Sequence, residues 1–249
     1  IIFLLSTYPL YKFLKKYKPD YIIAHLITSL PIFLFKIFNF ETKLILRISG
    51  YPKLNFVRKF FWKLCSKNIH IVTCPSKELK EQLSRLNIFE KQKIVVLYDS
   101  VINIKEVKRK REETISEHIK KNNYLLSIGR FTKQKNFDLL IDAFCEFNKI
   151  NNKYKLFIIG EGEEKEKIVK KINNLDMQKE IHLLGFKNNV YKYLKNSQAF
   201  ILSSLWEEMG FVIIEAAACN TTVISSNCPN GPSEFLNHGA AGYLFKNNS

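Results

Sequence analysis

Two carboxylates, Glu207 and Glu215, stand eight residues apart in the stretch SSLWEEMGFVIIEAAACN. Glu207 lies in a polar segment that ends at Gly210, whereas Glu215 lies among apolar and small residues that otherwise indicate a buried helix. A carboxylate in such a helix is costly unless it has a hydrogen-bonding partner. A pair of ligand hydroxyls is one suitable partner, and a structural Arg or a backbone N–H is the other.

The residues between the two acids add a candidate anion site. Met209, Gly210 and Phe211 lead into the predicted helix. The first N–H groups of a helix favour an anion, and a glycine lets a ligand approach the backbone closely. The segment therefore predicts a helix whose N-terminus points at a negatively charged group.

A second loop carries two cations, Arg130 and Lys135, in the stretch GRFTKQKN that begins at Gly129. Arg offers a planar fork of donors and Lys a movable point charge, and the two together suit a diphosphate. Two solvated loop cations are the alternative. The glycine and the position at the end of a predicted strand favour anion binding.

The stretch GEGEE, residues 160–164, resembles half of a Gly-rich dinucleotide loop. Its three acids would repel a phosphate, however, and acids are favoured at a helix N-terminus by the helix dipole. We interpret it as a tight turn between a strand and a helix.

Apolar strands that alternate with amphipathic helices must position these loops. The predicted strands are residues 21–25, 43–49, 69–76, 93–100, 123–130, 154–162, 180–186, 198–204 and 221–227. The predicted helices are residues 56–67, 77–86, 137–150, 164–175, 190–197 and 211–220. This alternation is typical of parallel sheets covered by helices on both faces, which bind ligands outside the carboxyl ends of their strands.

The series of strands is interrupted once, by a highly charged segment poor in aromatic residues. We therefore predict a domain over residues 1–105, a connector over 106–122 and a second domain over 123–249. One solvated helix within a single domain is the alternative. The apolar stretch at residues 21–38 is interrupted by His25, Pro31 and Lys36, and a buried strand followed by a buried helix explains it better than a membrane span.

Composition narrows the classes of function. The chain has 249 residues, of which 46% are hydrophobic, so it can bury a core and is neither disordered nor fibrous. Its five cysteines include no C-x-x-C pair, which argues against a disulfide framework or a zinc site and favours a reducing compartment. The opening IIFLLSTYPL has no basic segment and no cleavage site, so it is not typical of a signal peptide.

Charge is spread unevenly along the chain. Residues 1–122 hold 24 of the 39 Lys and Arg but only 10 of the 23 Asp and Glu. Such a basic half implies an anionic partner, which could be a membrane surface, a phosphorylated ligand or nucleic acid. A genome whose composition favours Lys codons would place Lys at solvent-exposed positions and would produce the same excess of positive charge.

Together these motifs resemble the retaining, nucleotide-sugar-dependent glycosyltransferases of family 4. The carboxy-terminal domain of that family carries a Gly–Arg…Lys loop and two acids separated by seven residues, which Gly129–Arg130 with Lys135 and Glu207 with Glu215 match. The fold that the resemblance implies is α/β, namely GT-B, with two facing Rossmann-like, doubly wound domains. The resemblance is strong over residues 123–245 and weaker over 17–100.

The segment CPNGPSEFLNHGAAGYLF, residues 228–245, is similar to members of the family that make bacterial surface polysaccharides. Other features depart from the family. Glu208 and Met209 replace a Gly and a Phe, and RISGYP at residues 47–52 stands where many relatives have a His. The first strand with its Gly-rich loop and the closing helices are missing, so the resemblance implies a chain truncated at both ends and an incomplete first domain.

The resemblance also implies roles for the site residues. Glu215 would hold the ribose hydroxyls of the nucleotide, and Glu207 would hold the hydroxyls of the donor sugar. Arg130 and Lys135 would take the diphosphate, with N–H donors from Met209–Phe211. The catalytic group would be Glu207, Arg130 and Lys135. No D-x-D pair is present to hold a divalent metal, and no cofactor is expected apart from a donor linked to UDP or GDP.

The acceptor side is less well defined by the sequence. His25, Arg47 and Ser49 are candidate acceptor contacts because they follow or end predicted strands of the first half. The expected function is retaining, metal-independent sugar transfer to a lipid-linked or polysaccharide acceptor in the synthesis of cell-envelope glycans. The basic half would contact the anionic inner membrane peripherally, at its cytoplasmic face, and no nucleic acid would take part.

The sequence is also compatible with other functions. A GT-B epimerase or phosphorylase is one alternative, although a phosphorylase would need a lysine-bound pyridoxal phosphate, for which the sequence gives no signal. A truncated remnant that binds nucleotide without turnover is another. A basic nucleic-acid-binding module is a third, but the lysines are not interleaved with aromatic residues in a recognisable motif.

Overall fold

The computed structural model describes residues 6–25, 29–100 and 102–246, and the chain forms two compact units, residues 1–99 and 100–249. The first unit contains α1 (Thr7–Tyr17), β1 (Tyr21–His25), α2 (Ser29–Ile37), β2 (Lys43–Arg47), α3 (Phe56–Cys65), β3 (Ile71–Cys74), α4 (Lys77–Arg85) and β4 (Ile94–Val96). Its four strands form a parallel sheet in the order β1-β2-β3-β4.

One hydrophobic core holds the first unit together. Leu44 and Leu46 of β2 and Val72 of β3 are fully buried in it. Helix α4 begins as the sequence predicts, because the Ser76 side chain accepts a hydrogen bond of 3.1 Å from the N–H of Leu79. Two short 3₁₀ turns, Ser66–Asn68 and Lys91–Lys93, complete the connections.

The apolar stretch at residues 21–38 forms β1 and α2, as predicted, with residues 26–28 outside the described residues. Helix α1 was not predicted. Within the described ranges, every helix is too short or too polar to cross a membrane.

The second unit contains α5 (Ile104–Lys110), α6 (Glu117–Lys120), β5 (Asn123–Ile128), α7 (Phe137–Ile150), β6 (Tyr154–Ile159), α8 (Lys165–Asn174), β7 (Ile181–Gly185), α9 (Tyr191–Asn196), β8 (Ala199–Leu202), α10 (Phe211–Ala218), β9 (Val223–Ser226), α11 (Pro232–Phe235) and β10 (Tyr243–Phe245). Its strands are parallel in the order β10-β9-β8-β5-β6-β7. Two hydrophobic clusters bury its strands and the helices packed on them.

Residues 106–122, predicted as a connector, contribute to the core of the second unit. Val107, Ile115 and Ile119 are buried there beside Ile213 of α10. The high density of charge in this segment conceals these three apolar side chains, which come from the two short helices α5 and α6 and from the stretch between them. The chain passes from one unit to the other at residues 99 and 100.

Several strands are shorter than the sequence predicts, for identifiable reasons. The strand predicted at residues 69–76 is Ile71–Cys74 because Pro75 has no N–H to donate and Ser76 caps the next helix. The strand predicted at residues 93–100 is Ile94–Val96 because it pairs only with the short β3.

Candidate functional site

Strand β5 is the first strand of the second sheet, yet it lies in the interior between β8 and β6. The chain leaves β5 toward β6 on one side and later returns to β8 on the other, so the strand order reverses between β5 and β8. Ligands in open α/β sheets bind at such a switch point, outside the carboxyl ends of the strands. The loops that follow β5 and β8 contain Gly129–Lys135 and Ser203–Gly210.

A buried ion pair joins these two loops. The Lys135 Nζ lies 2.5 Å from Glu207 Oε1, and the two side chains are only 15% and 7% exposed. Ser204 donates its hydroxyl to the same Oε1 at 2.5 Å. Among the described residues, no hydrogen bond reaches the other carboxylate oxygen of Glu207. Glu207 therefore has one oxygen fixed by the protein and one available to accept from a ligand.

Backbone contacts lock the two loops in register. Ser203 Oγ donates to the carbonyl of Lys135 at 2.8 Å, and the N–H of Leu205 donates to the carbonyl of Gln134 at 2.8 Å. The Gln134 side chain donates to the carbonyl of Trp206 at 2.8 Å. Each loop therefore supplies both donors and acceptors to the other, and the position of Glu207 depends on the loop that carries Lys135.

Glycines allow the loop after β5 to lie against its neighbours. A Cβ on Gly129 would lie 3.2 Å from three carbons of the Lys135 side chain, which passes over it. A Cβ on Gly160 would lie 1.9 Å from the carbonyl oxygen of Gly129, and one on Gly162 would lie 2.5 Å from that of Phe131. The stretch GEGEE is thus a turn that supports the loop of Arg130, in agreement with its interpretation as a strand–helix turn.

Arg130 lies at the surface, next in sequence to the Gly129 over which the Lys135 side chain passes. Its side chain is exposed, and it forms no ion pair or hydrogen bond with the described residues. An exposed, fully charged guanidinium next to a loop of fixed geometry can bind an anion with little loss of other contacts.

Helix α10 begins where the loop after β8 ends. Gly210 has φ 65° and ψ 51°, a left-handed conformation that favours glycine, and its carbonyl accepts from the N–H of Ile213 at 2.8 Å. Met209 is buried, and a Cβ on Gly231 would lie 2.8 Å from its carbonyl oxygen. Phe211 is exposed at the first position of the helix.

Glu215 lies farther along α10, and its partner is a phenol. Tyr191 donates its hydroxyl to Glu215 Oε1 at 3.3 Å. Burial raises the pKa of Glu215 above its ordinary value of 4.5, and the hydrogen bond from Tyr191 opposes that rise. Burial and the nearby Glu215 carboxylate raise the pKa of Tyr191 to about 12.

The structure thus joins Lys135 to Glu207 and passes the Lys135 side chain over Gly129, whereas Glu215 lies farther along the chain, in helix α10, with Tyr191. Sequence analysis missed Ser204 and Tyr191. The position of Ser204 at a strand end was a usable signal, whereas nothing in the sequence links Tyr191 to Glu215. In the part of the chain that the structure describes, no group of three His, Cys, Asp or Glu side chains is arranged to hold a metal ion.

The three acceptor-side candidates lie at the carboxyl ends of β1 and β2 in the first unit. His25 Nε2 lies 2.6 Å from Ser49 Oγ. The buried Arg47 donates to the carbonyl of Leu97 at 2.8 Å and to Asp99 Oδ1 at 2.7 Å. Arg47 is therefore held by the protein, whereas His25 and Ser49 form an exposed polar pair.

Comparison with known proteins supports the family suggested by the sequence. Residues 108–249 match the family model described as glycosyl transferases group 1. An uncharacterized glycosyltransferase of Methanocaldococcus jannaschii is 32% identical in an alignment that covers 92% of this chain and 61% of that protein. The N-acetylgalactosamine-N,N'-diacetylbacillosaminyl-diphospho-undecaprenol 4-alpha-N-acetylgalactosaminyltransferase of Campylobacter jejuni is 28% identical, over 84% of this chain and 58% of that protein.

A solved structure shows the same fold. The Anabaena protein HepE, crystallised in complex with UDP, has a TM-score of 0.78 and 16% identity, and the match covers 96% of this chain and 68% of that one. The likeness confirms the predicted GT-B fold class, α/β with parallel sheets. This chain spans about three fifths of the length of the two curated relatives.

Proposed function

We propose, on the premise that this chain belongs to the group 1 glycosyl transferases, that it transfers a sugar from a nucleotide-diphosphate donor with retention of configuration and without a metal ion. The observation that carries the proposal is the buried pair of Lys135 and Glu207 at the switch point of the second sheet, in loops that also carry the exposed Arg130. This pair supports the proposal because it brings a cation and a carboxylate together at the place where ligands bind in open α/β sheets.

In this proposal the diphosphate lies against Arg130 and Lys135. An ammonium has three donors, and Glu207 takes one of those of Lys135, so others remain for phosphate oxygens. The N–H groups at the start of α10, from Met209 to Phe211, add donors to the same charge. The complex of HepE with UDP supports a uridine nucleotide as one donor class, with guanosine as the other candidate.

Glu207 would hold the hydroxyls of the donor sugar through the oxygen that Lys135 and Ser204 leave available. Glu215 would hold the two ribose hydroxyls. Among the described residues its carboxylate accepts one long hydrogen bond, from Tyr191, so the ribose would supply the donors that it lacks. Both roles use the same chemistry, a carboxylate accepting from ligand hydroxyls, with Glu207 buried and Glu215 half-buried.

The chemistry follows from these contacts. As the bond from the sugar to the diphosphate breaks, positive charge develops on the sugar and negative charge on the leaving phosphate. Fixed cations and a helix N-terminus stabilise that negative charge where it develops. In the proposed retaining path the acceptor hydroxyl attacks from the side of the leaving group, and a leaving phosphate oxygen takes its proton.

The acceptor is proposed to be lipid-linked or a growing envelope glycan. The name of the Campylobacter jejuni relative specifies an acceptor that carries diphospho-undecaprenol. The first unit, with 17 Lys and Arg against 6 Asp and Glu over residues 1–99, would be attracted to such an acceptor at the anionic cytoplasmic face of the inner membrane. His25, Arg47 and Ser49 would lie on the acceptor side, and nucleic acid would not take part.

A donor screen tests the proposal. The purified chain is incubated with UDP- and GDP-sugars and a lipid diphosphate acceptor, and products are detected by mass spectrometry. We expect one donor to be used and Glu207→Gln to reduce turnover by about a hundredfold, because the carboxylate that positions the donor sugar and the ion pair that holds Lys135 are both lost. Glu163→Gln, an exposed acid in the neighbouring turn, serves as control.

Undiminished turnover in Glu207→Gln would contradict the assigned role of Glu207. Nucleotide binding without transfer from any donor would instead support a remnant that binds nucleotide only.

A further inference from the structure

Helix α3 turns apolar side chains toward solvent on its outer face. The exposed fractions are 85% for Phe56, 72% for Val57, 63% for Phe60 and 54% for Leu64. Because an α-helix has 3.6 residues per turn, residues at a spacing of four lie on one side of it. Trp62 and Cys65, on the opposite side, are buried in the core of the first unit.

This arrangement reverses the usual pattern of a surface helix, whose outer face is polar. Single exposed apolar residues are common, but a contiguous patch marks a surface that binds something. The patch extends onto α2, where the exposed Phe33 ring lies with its centroid 5.9 Å from that of Phe61.

The charge around the patch indicates what it binds. Residues 42–77 contain eight Lys and Arg and no Asp or Glu. Two of these cations, Lys59 and Lys63, are exposed on α3 itself and flank the apolar face. A second copy of this surface would bring like charges together, whereas an anionic surface with an apolar interior complements both the charge and the aromatic side chains.

We propose that α3 is the element through which this chain lies on an anionic phospholipid membrane. Phe56, Phe60 and Leu64 enter the boundary between headgroups and acyl chains, and Lys59 and Lys63 lie at the level of the lipid phosphates. Interfacial helices combine these two features, apolar anchors and flanking cations. The inference rests on the proposed lipid-linked acceptor, because an enzyme that uses such an acceptor works at a membrane surface.

Vesicle flotation tests this surface directly. The full chain is mixed with vesicles of phosphatidylglycerol and phosphatidylcholine, or of phosphatidylcholine alone. We expect binding to the anionic vesicles only, and a loss of at least about tenfold in partition for the double variant F60S/L64S. The control is Ile150→Ser, which removes a 90% exposed apolar side chain from the second unit and should leave partition unchanged.

A second double variant tests the contribution of the two lysines to membrane binding. K59E/K63E should lower partition onto anionic vesicles by about tenfold or more and remove most of its dependence on salt. Thermal unfolding of every variant checks that the fold is intact.

Failure of the wild-type chain to float with anionic vesicles, or equal partition of the wild type and F60S/L64S, would overturn the proposal. The proposal would also be overturned if the wild-type chain formed dimers and F60S/L64S were monomeric. The apolar face of α3 would then be an interface between two copies of the chain. Calorimetry with UDP and GDP on the same preparations distinguishes the proposed membrane surface from the proposed sugar transfer. A chain that binds nucleotide but not vesicles would contradict only the proposal that α3 binds the membrane.

Discussion

At the scale of residues, the charges of Lys135 and Glu207 depend on each other. The ion pair is largely removed from water, so either partner alone is a buried charge without compensation. The hydroxyl of Ser204 donates to Glu207 and so stabilises the carboxylate of the pair, but it does not stabilise the ammonium of Lys135. The ion pair therefore holds the two loops together, in addition to any contact that its side chains make with a donor.

A double-mutant cycle measures this coupling. Lys135→Met should lower the free energy of unfolding by about 3 kcal/mol, because Glu207 remains buried without its cation. K135M/E207Q should lose much less than the sum of the two single variants, since it removes both charges together. Urea denaturation of the four chains gives the coupling, and strictly additive losses would show that the pair is not formed in solution.

Glu215 should give the second unit a distinct pH dependence. Because burial raises its folded-state pKa, the folded protein binds a proton more tightly than the unfolded chain. Its contribution to stability is fully present below the unfolded value of 4.5 and is lost as pH rises through the folded-state pKa.

We therefore expect Glu215→Gln to gain stability relative to the wild type as pH rises above 4.5. The difference should be independent of pH in more acidic solution, where both side chains are neutral. Thermal unfolding of the two proteins across pH 4–8 measures it, and parallel stability curves over that range would show that Glu215 is not desolvated in solution.

The site residues also show what a sequence can and cannot predict. Lys135 and Glu207 each follow a predicted strand of a parallel sheet, and the family resemblance assigned both to the donor site. The structure places the two side chains in contact. For Glu215 the sequence offered ligand hydroxyls, an Arg or a backbone N–H as partners, and among the described residues its side chain bonds to the Tyr191 hydroxyl. That contact joins α9 to α10 across the core, and no local pattern encodes such a pairing.

At the scale of elements, the turn after β6 supports the loop after β5. Gly160 has φ 153° and lies so close to Gly129 that a side chain would meet the Gly129 carbonyl. The carbonyl of Glu161 accepts from the N–H of Phe131 at 2.9 Å, and the N–H of Glu164 donates to the carbonyl of Phe131 at 2.9 Å. The two loops therefore form one rigid edge at the switch point.

Gly160→Ala should destabilise the chain by about 2 kcal/mol more than Gly239→Ala, because only the first adds a clash with backbone. Gly239 is a matched control since it also has a positive φ, 101°, but has no atoms near the position of a Cβ. Denaturation midpoints of both variants test this, and equal losses would mean that the close approach to Gly129 is relaxed in solution.

Elements were predicted more reliably than their ends. The helix predicted at residues 137–150 has the same bounds in the structure, because its apolar spacing continues without a break between Asn136 and Asn151. Strand ends depend on partners instead, as the shortened β4 shows. Strand β10 was not predicted because its three residues carry too little pattern. Helix α1, with 11 residues, was not predicted either, although its Leu10, Phe13 and Leu14 stand at helical spacing.

At the scale of the whole molecule, two units with separate cores divide the charge between them. Residues 1–99 carry most of the excess positive charge, and the candidate donor site lies in the second unit. The division was visible in the sequence as a basic half and a nearly neutral half. The order of strands in the second sheet was not, because sequence patterns do not report which strands pair.

The central claim is that the switch point of the second sheet binds a nucleoside diphosphate, and calorimetric titration of the full chain with UDP and GDP tests it most directly. The account predicts that one of the two binds with a single site. Arg130→Ala and Glu215→Ala should each weaken it about tenfold or more, because each removes a charged hydrogen bond. Lys133→Ala, an exposed cation of the same loop, should leave affinity unchanged. Absence of binding, or equal affinity in the wild type and both variants, would contradict the account.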